Sequence, residues 1–249
     1  MSHTNYRDYA LNQREMITYI KSQERYVRQI RQSDQIILEK LHQFSHGRDE
    51  YAFSLLDMGC STGNLLRHIQ NLFPHWHLEG MDMSPEAIKV CLEEPELKNL
   101  RFHEGDLLYF QSSQKFDFIT LSAVFFALDK KACKSAIQTI SQALNPEGVL
   151  ILFDYFNPFE QELVIQEISE LHPEGLPLFI RPFSFYQKEM QEFGFKTIQF
   201  TPFEINLDLP FPDSYQKIDT YTVLSNQGKR LQFRGSMFQP WGHLCAKKN

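Results

Sequence analysis

The residues with the clearest chemical potential stand together in one short segment, Asp57-Met58-Gly59-Cys60-Ser61-Thr62-Gly63. Its glycines let the main chain approach a ligand closely. The segment leaves an apolar run, Ala52 to Met58, and enters a helical pattern at Asn64, so the unpaired N–H groups of a helix N-terminus face whatever the loop holds. Such a terminus suits a carboxylate. A dinucleotide-binding loop would read Gly-x-Gly-x-x-Gly, whereas here the glycines sit four apart, with Asp57 two positions before the first. Elsewhere, Asp154 ends an apolar run, where it could accept a proton from a hydroxyl nucleophile or serve as a hydrogen-bonded strand-end residue. Arg181 and Arg234 could each clamp a carboxylate or phosphate, or form ordinary surface ion pairs. His75, His77 and His243 read as structural or surface residues. Cys60, Cys91, Cys133 and Cys245 are scattered without Cys-x-x-Cys pairing, so free, mostly buried thiols are expected and no metal.

Positioning these residues requires a regular scaffold, and the apolar pattern supplies one. From Asn12 to Phe44 apolar residues recur at helical steps, predicting one long helix or two. A strand ending at Met58 is followed by a helix at 64–73, a strand at 77–82, a helix opened by Ser84 and Pro85, and a strand at 100–104. Next come a strand at 116–121, a helix at 130–144 and a strand at 149–154 introduced by Asn145-Pro146-Glu147-Gly148. Strands alternating with helices imply a parallel sheet covered on both faces. Beyond Asp154 the pattern predicts a helix at 158–171, a proline-rich stretch to Pro182, a helix at 184–193 capped by Ser184 and stopped by Gly194, and a strand at 195–205. Residues 220–224 and 230–233 flank turn residues 225–229, predicting a β-hairpin before a final strand at 243–247.

With 249 residues and 42% hydrophobic content the chain can bury one substantial core. Its formal net charge of -6 and the absence of a Lys/Arg cluster disfavour long nucleic acid as a partner. The polar start, Met1 to Arg14, is unlike a signal peptide, and no window approaches a membrane span, so a cytoplasmic protein is expected.

The loop from Asp57 to Gly63 resembles motif I of the class I, Rossmann-like S-adenosylmethionine-dependent methyltransferases, and the order of elements over Phe53 to Asp154 is similar to theirs. The resemblance implies a doubly wound, mostly parallel seven-stranded sheet whose last strand is antiparallel, here with an N-terminal helical cover. It also implies S-adenosylmethionine as methyl donor, bound by Asp57, Gly59, Cys60, Ser61 and Gly63. Asp82 with Met83 then stands where the family holds the ribose hydroxyls, and a carboxylate suits a diol. Asp106-Leu107 resembles the adenine-binding turn, and the strand ends bearing Ser122, Phe125 and Tyr155 should face the methyl group and acceptor. Ser61 departs from the family pattern, in which glycine is common at that place. No Asn/Asp-Pro-Pro-aromatic segment follows the fourth strand and no Pro-Cys dipeptide exists, which speaks against base-methylating enzymes.

The resemblance implies methyl transfer to a small molecule, at oxygen rather than nitrogen. Alternatives are a protein- or tRNA-directed methyltransferase, an NAD-linked oxidoreductase, which the glycine spacing opposes, and a catalytically silent cofactor-binding module. One domain is expected over 1–249, made of a helical cover (1–48), a Rossmann-like core (49–205), a hairpin insertion (206–239) and a last strand (240–249). Tyr215, Tyr221, Leu231, Phe233, Met237, Phe238 and Trp241 give the insertion and its border apolar surface that needs burial, and it reads either as a lid over the acceptor or as a homodimer interface.

Overall fold

The computed structural model describes residues 7, 10–48, 50–169, 172–173, 175–214 and 218–249. The helices are α1 (Gln13–Gln23), α2 (Gln32–Ser45), α3 (Asn64–Leu72), α4 (Pro85–Glu93), α5 (Lys130–Ala143) and α6 (Phe183–Glu192). The strands are β1 (Ser54–Met58), β2 (His77–Asp82), β3 (Arg101–Glu104), β4 (Phe116–Ser122), β5 (Leu144–Asn157), β6 (Leu163–Glu167), β7 (Leu176–Pro182), β8 (Phe195–Pro202), β9 (Thr220–Leu224), β10 (Arg230–Arg234), β11 (Met237–Phe238) and β12 (Trp241–Lys248).

Buried apolar residues run almost continuously through β1, β4 and β5 because both sheet faces are covered. On one face Leu55, Phe118, Ile151 and Phe153 pack with Ile37 and Leu41 of α2 and with Leu65, Leu66 and Ile69 of α3. On the other, Leu56, Leu150, Leu152 and Phe156 pack with Ile137 and Ile140 of α5 and Tyr186 and Met190 of α6. The strand order is β3-β2-β1-β4-β5-β12-β8, with β12 antiparallel to both β5 and β8. Six of these seven strands therefore run one way, as expected. The chain winds outward from β1 to β3 and then returns to β4, so the strand order reverses between β1 and β4. Their carboxyl ends part there, where open α/β sheets bind ligands.

Local signals set several boundaries. Ser84 caps α4 by accepting from Ala87 N at 3.2 Å, with Pro85 in the first turn. The N-terminal helical pattern resolves into α1 and α2, separated by a 3-10 turn at Glu24–Tyr26.

Three expectations after Asp154 are corrected. Residues 163–167 form β6, not part of a helix, and pair antiparallel with β7, whose end continues beside β5 at Phe156↔Arg181. The β-branched and aliphatic run Leu163-Val164-Ile165 fits strand as well as helix, and β7 supplies the partner that decides it. The proline-rich stretch contains β7 itself. Pro177 is tolerated there because β5 flanks β7 only at residues 181 and 182, leaving one side of Pro177 without a strand. Ser184 is not the cap of α6: the helix begins at Phe183 after Pro182, and Ser184 Oγ donates to Glu160 Oε2 at 2.6 Å. Gly194, with φ of 90°, does end that helix.

The insertion builds a separate antiparallel sheet in the order β11-β10-β9, so the expected hairpin gains a short third strand. Tyr221 stacks on Phe233 with ring centroids 5.6 Å apart, and Phe238 meets Phe233 edge-on. Tyr215 lies outside the described residues. Among the described residues no helix is long and apolar enough to cross a membrane.

Candidate active site

The glycine loop leaves β1 with Gly59 at φ 83° and enters α3 with Gly63 at φ 72°, both in the left-handed region that glycine occupies at little cost. A Cβ on Gly59 would lie 2.7 Å from Val124 Cγ2, so the loop after β4 packs directly on it. Ser61 also has positive φ, 50°, which accounts for glycine being favoured at that place. Gly59 N and Cys60 N both donate to Met81 O, tying the loop to β2. Asp82, at the end of β2, completes the tie: its Oδ2 accepts from Ser61 N at 2.8 Å and its Oδ1 from Ser84 N at 2.9 Å. Burial pushes its pKa up against the pull of those N–H groups. A carboxylate has about four lone-pair sites, so acceptor capacity remains for a diol.

Asp57 points from β1 onto the face covered by α2, where Thr120 Oγ1 donates to its Oδ1 at 2.8 Å. Burial raises Asp57 to about 7, the Thr120 hydroxyl opposing the shift. A small, partly open space of about 30 Å³ lies beside it, bounded by Gly59, Cys60, Ser61, Asn64 and Ser122. Its roof comes from residues the sequence reading did not single out: Tyr19 and Gln23 of α1, and Arg31 and Asp34 at the start of α2. Gln23 O accepts from Asn64 Nδ2 at 3.1 Å. Arg31 reaches Gln23 Oε1, lies 3.9 Å from Asp34 Oδ2, and stacks 4.2 Å from the Tyr26 ring centroid. Asp34 is 1% exposed, and burial holds its pKa up against the nearby Arg31. In the sequence, Gln32-Ser33-Asp34 reads as a polar helix start, and only the packing of α2 on the sheet turns it inward.

Asp106 and Leu107 follow β3. Leu108 N donates to Asp106 Oδ1 at 2.9 Å, while Arg7 Nε donates to its Oδ2 at 2.9 Å. Leu107 is buried and Met83 is partly exposed. A cleft of about 390 Å³ opens on this turn, lined by Asp106 together with Glu79, His103, Glu104 and Tyr109, and shares none of the glycine-loop residues.

At the ends of β4 and β5 the two sheet faces separate the candidate residues. Ser122 lies on the Asp57 face. Asp154 lies on the other and is 0% exposed: its Oδ2 accepts from Val124 N at 3.0 Å and Phe125 N at 2.7 Å, and its Oδ1 from Tyr155 N at 2.8 Å. It thereby holds the loop after β4, including Ala123 at φ 57°. Burial raises it to about 7, opposed by these N–H groups. Phe125 is packed into the core beside Tyr186. Tyr155 is buried with Phe126 and Trp241, its centroid 4.0 Å from the latter. Arg181 is fully buried, its Nη2 donating to Leu128 O at 2.6 Å and its Nε to Glu162 Oε1 at 3.0 Å. Arg234 forks onto Glu167 at 3.0 and 3.2 Å, joining the small sheet to β6. His243 is buried, its Nε2–H donating to Ser33 O at 3.0 Å, and burial lowers it to about 4. The structure thus brings Asp57, Gly59, Cys60, Ser61 and Ser122 to one space, sets Asp82 behind the same loop, and puts Asp154, Phe125 and Arg181 elsewhere.

This donor set can be tested against the cofactor. Two carboxyl groups, Asp34 and Asp57, face the space with one guanidinium, Arg31, so acidic groups outnumber basic ones there. S-adenosylmethionine carries an ammonium, a carboxylate and a sulfonium, hence one net positive charge, and its ribose diol matches the spare acceptor capacity of Asp82. The residues fit the group.

Comparison with known proteins agrees. A family model described as a methyltransferase domain matches residues 50–175, half of the chain. The malonyl-[acyl-carrier protein] O-methyltransferase of Bacillus anthracis is 30% identical over 118 residues, 47% of this chain and 40% of that protein. The chain spans 40% to 48% of the length of this and two further curated relatives. Among solved structures, the glycopeptide N-methyltransferase MtfA with S-adenosylhomocysteine superposes with a TM-score of 0.56 at 14% identity, covering 84% of this chain and 89% of that one. An S-adenosylmethionine-bound amino pentose methyltransferase from Micromonospora echinaspora gives 0.54 at 18% identity, covering 87% and 90%. With the sheet order, the reversal point between β1 and β4 and the matched half of the sequence all in agreement, the chain belongs to the class I S-adenosylmethionine-dependent methyltransferases.

Proposed function

We propose that the chain methylates a small acceptor at oxygen, and that this oxygen belongs to a carboxylate. The observation that carries the reading is that neither Asp154 nor His243, the titratable groups of β5 and β12 nearest Tyr155 and Trp241, is a ready base. Asp154 is fully buried and already accepts from three main-chain N–H groups. His243 is held neutral by burial, with one ring nitrogen committed to Ser33 O. A phenol or alcohol would need a base to take its proton, whereas a carboxylate is already ionised at neutral pH. The malonyl-[acyl-carrier protein] O-methyltransferases supply a second support, since their name states O-methylation of a malonyl group on acyl-carrier protein.

In this reading Asp57 and Asp34 meet the cofactor's ammonium, Arg31 its carboxylate, Asp82 the ribose diol, and the Asp106-Leu107 turn, with Met83, the adenine. The main chain of Gly59, Cys60, Ser61 and Gly63 provides close approach, and Ser122 borders the reacting side. S-adenosylmethionine supplies a sulfonium methyl to the acceptor oxygen and leaves as S-adenosylhomocysteine. Because the space beside Asp57 is about one water in volume, α1 moves outward with Tyr19 and Gln23 to admit it. Closure of α1 then excludes water and aligns the partners, which supplies much of the rate. Tyr155, Phe126, Trp241 and Arg234 form the acceptor side, and residues 206–239 act as its lid.

The test is S-adenosylhomocysteine release with a panel of small carboxylic acids and malonyl thioesters beside phenols and amines. Turnover confined to the carboxylates is expected. Efficient methylation of phenols or amines, with carboxylates inert, would overturn the carboxylate reading.

A further inference from the structure

Tyr155 lies near the carboxyl end of β5 with its hydroxyl in a directed chain of side-chain hydrogen bonds. Gln232 Nε2 donates to Gln239 Oε1 at 2.8 Å, and Gln239 Nε2 donates to Tyr155 Oη at 2.7 Å. Main-chain bonding fixes the geometry of the chain, since Gln239 N donates to Gln232 O at 2.9 Å. Gln239 is 7% exposed and Tyr155 3%, so neither amide nor phenol is free to turn toward bulk water. Because Tyr155 Oη already receives a hydrogen bond, its own proton points to a second partner, and no such acceptor is present among the described residues. The Tyr155 hydroxyl thus keeps one donor capacity that no described residue uses, and a ligand oxygen brought to it would be hydrogen-bonded at once. Arg234 lies near enough to act on the same hydroxyl, with its partner Glu167 opposing it.

We propose that Gln239, backed by Gln232, is a positioning residue that fixes the Tyr155 hydroxyl as a hydrogen-bond donor, and that this donor selects acceptors presenting a carboxylate or carbonyl oxygen there. The inference rests on the carboxylate reading above and adds its recognition. The hydroxyl donates to one carboxylate oxygen while the other takes the methyl, so no proton changes place on Tyr155. Both glutamines belong to the inserted sheet or its border, so the donor is oriented only when that sheet is docked against β5.

The polarity of the chain gives an isosteric test. In Gln239→Glu the new carboxylate still accepts from Gln232 but takes the Tyr155 proton for itself, reversing the last bond of the chain. With malonyl-pantetheine as the probe, Tyr155→Phe and Gln239→Glu should each raise KM about tenfold to a hundredfold, the range for a hydrogen bond to a charged group, with kcat changing much less. The double variant should be no worse than either single one, because both remove the same bond. Calorimetric affinity for S-adenosylhomocysteine should stay within about twofold of the wild type, which separates lost recognition from a damaged fold. If the wild type methylates malonyl-pantetheine and both variants match its KM, the positioning assignment falls while the carboxylate reading stands. If the wild type leaves the probe unmethylated, the carboxylate reading falls and takes this inference with it.

Discussion

Thr120→Val removes the hydroxyl that donates to Asp57 Oδ1 at 2.8 Å inside the sheet, where Thr120 is 0% exposed. The cost of that loss depends on whether Asp57 is ionised. Burial places Asp57 at about 7, well above the ordinary carboxylate value of 3.8. The folded state therefore binds a proton more tightly than the unfolded chain, and the stability this gives is full below the unfolded pKa and lost as pH rises through about 7. At about pH 5 the variant loses a neutral hydrogen bond, about 0.5–1.5 kcal/mol, whereas at about pH 8.5 it loses one to a carboxylate, about 1.5–3 kcal/mol. The difference of roughly 1 to 1.5 kcal/mol equals an upward shift of about one unit in the Asp57 pKa. Urea unfolding of wild type and variant at both pH values measures it, with the like-signed contribution of Asp154 cancelling between the two proteins. An equal loss at both pH values would refute the assignment of Asp57 as a buried group titrating near neutrality.

Asp82→Ala should weaken S-adenosylhomocysteine binding by about 1.5–3 kcal/mol in calorimetry, and unchanged affinity would remove Asp82 from the ribose site. Gly59→Val should abolish binding, since a β-branched side chain at φ 83° is strained and its Cβ would lie 2.7 Å from Val124 Cγ2. A valine variant that binds tightly would contradict the loop assignment. If Asp57 meets the cofactor's ammonium, S-adenosylhomocysteine affinity should rise as pH increases toward about 7, with proton release on binding. Asp57→Asn should flatten that profile, and a wild-type profile already flat would refute the pairing. Replacing residues 208–236 with a short Gly-Ser turn should spare cofactor affinity and severely reduce turnover. Surviving turnover alongside dissociation of a dimer would make the small sheet an interface and not a lid.

What could be read from the residues was what depends on local pattern and turn chemistry. The unit from β1 through the Gly59–Gly63 loop into α3 is contiguous in sequence, and its glycines announce the backbone conformation they adopt. The end of β2 was likewise readable, because an apolar run stopped by Asp82 marks a strand end, whereas β5 runs past the expected end at Asp154 to Asn157, where β7 pairs with it. That the sheet is mostly parallel with an antiparallel last strand followed from alternation together with the family resemblance, whereas the order β3-β2-β1-β4-β5 is read from the structure.

Only tertiary structure decided which side of the sheet each strand-end residue faces and what meets it there. Asp57 and Asp154 look alike in sequence, yet one borders the space beneath Tyr19 and Arg31 while the other is sealed by three main-chain N–H groups. Arg181 became a buried tether because Leu128 and Glu162, both remote in sequence, close around it. Residues 163–167 became strand because β7 was there to pair with them. Asp34, in a polar stretch that reads as solvent-facing, turned inward when α2 packed Ile37 and Leu41 onto the sheet. In each case the deciding energy is burial or pairing between segments distant in the chain, and that has no signature in the local order of residues.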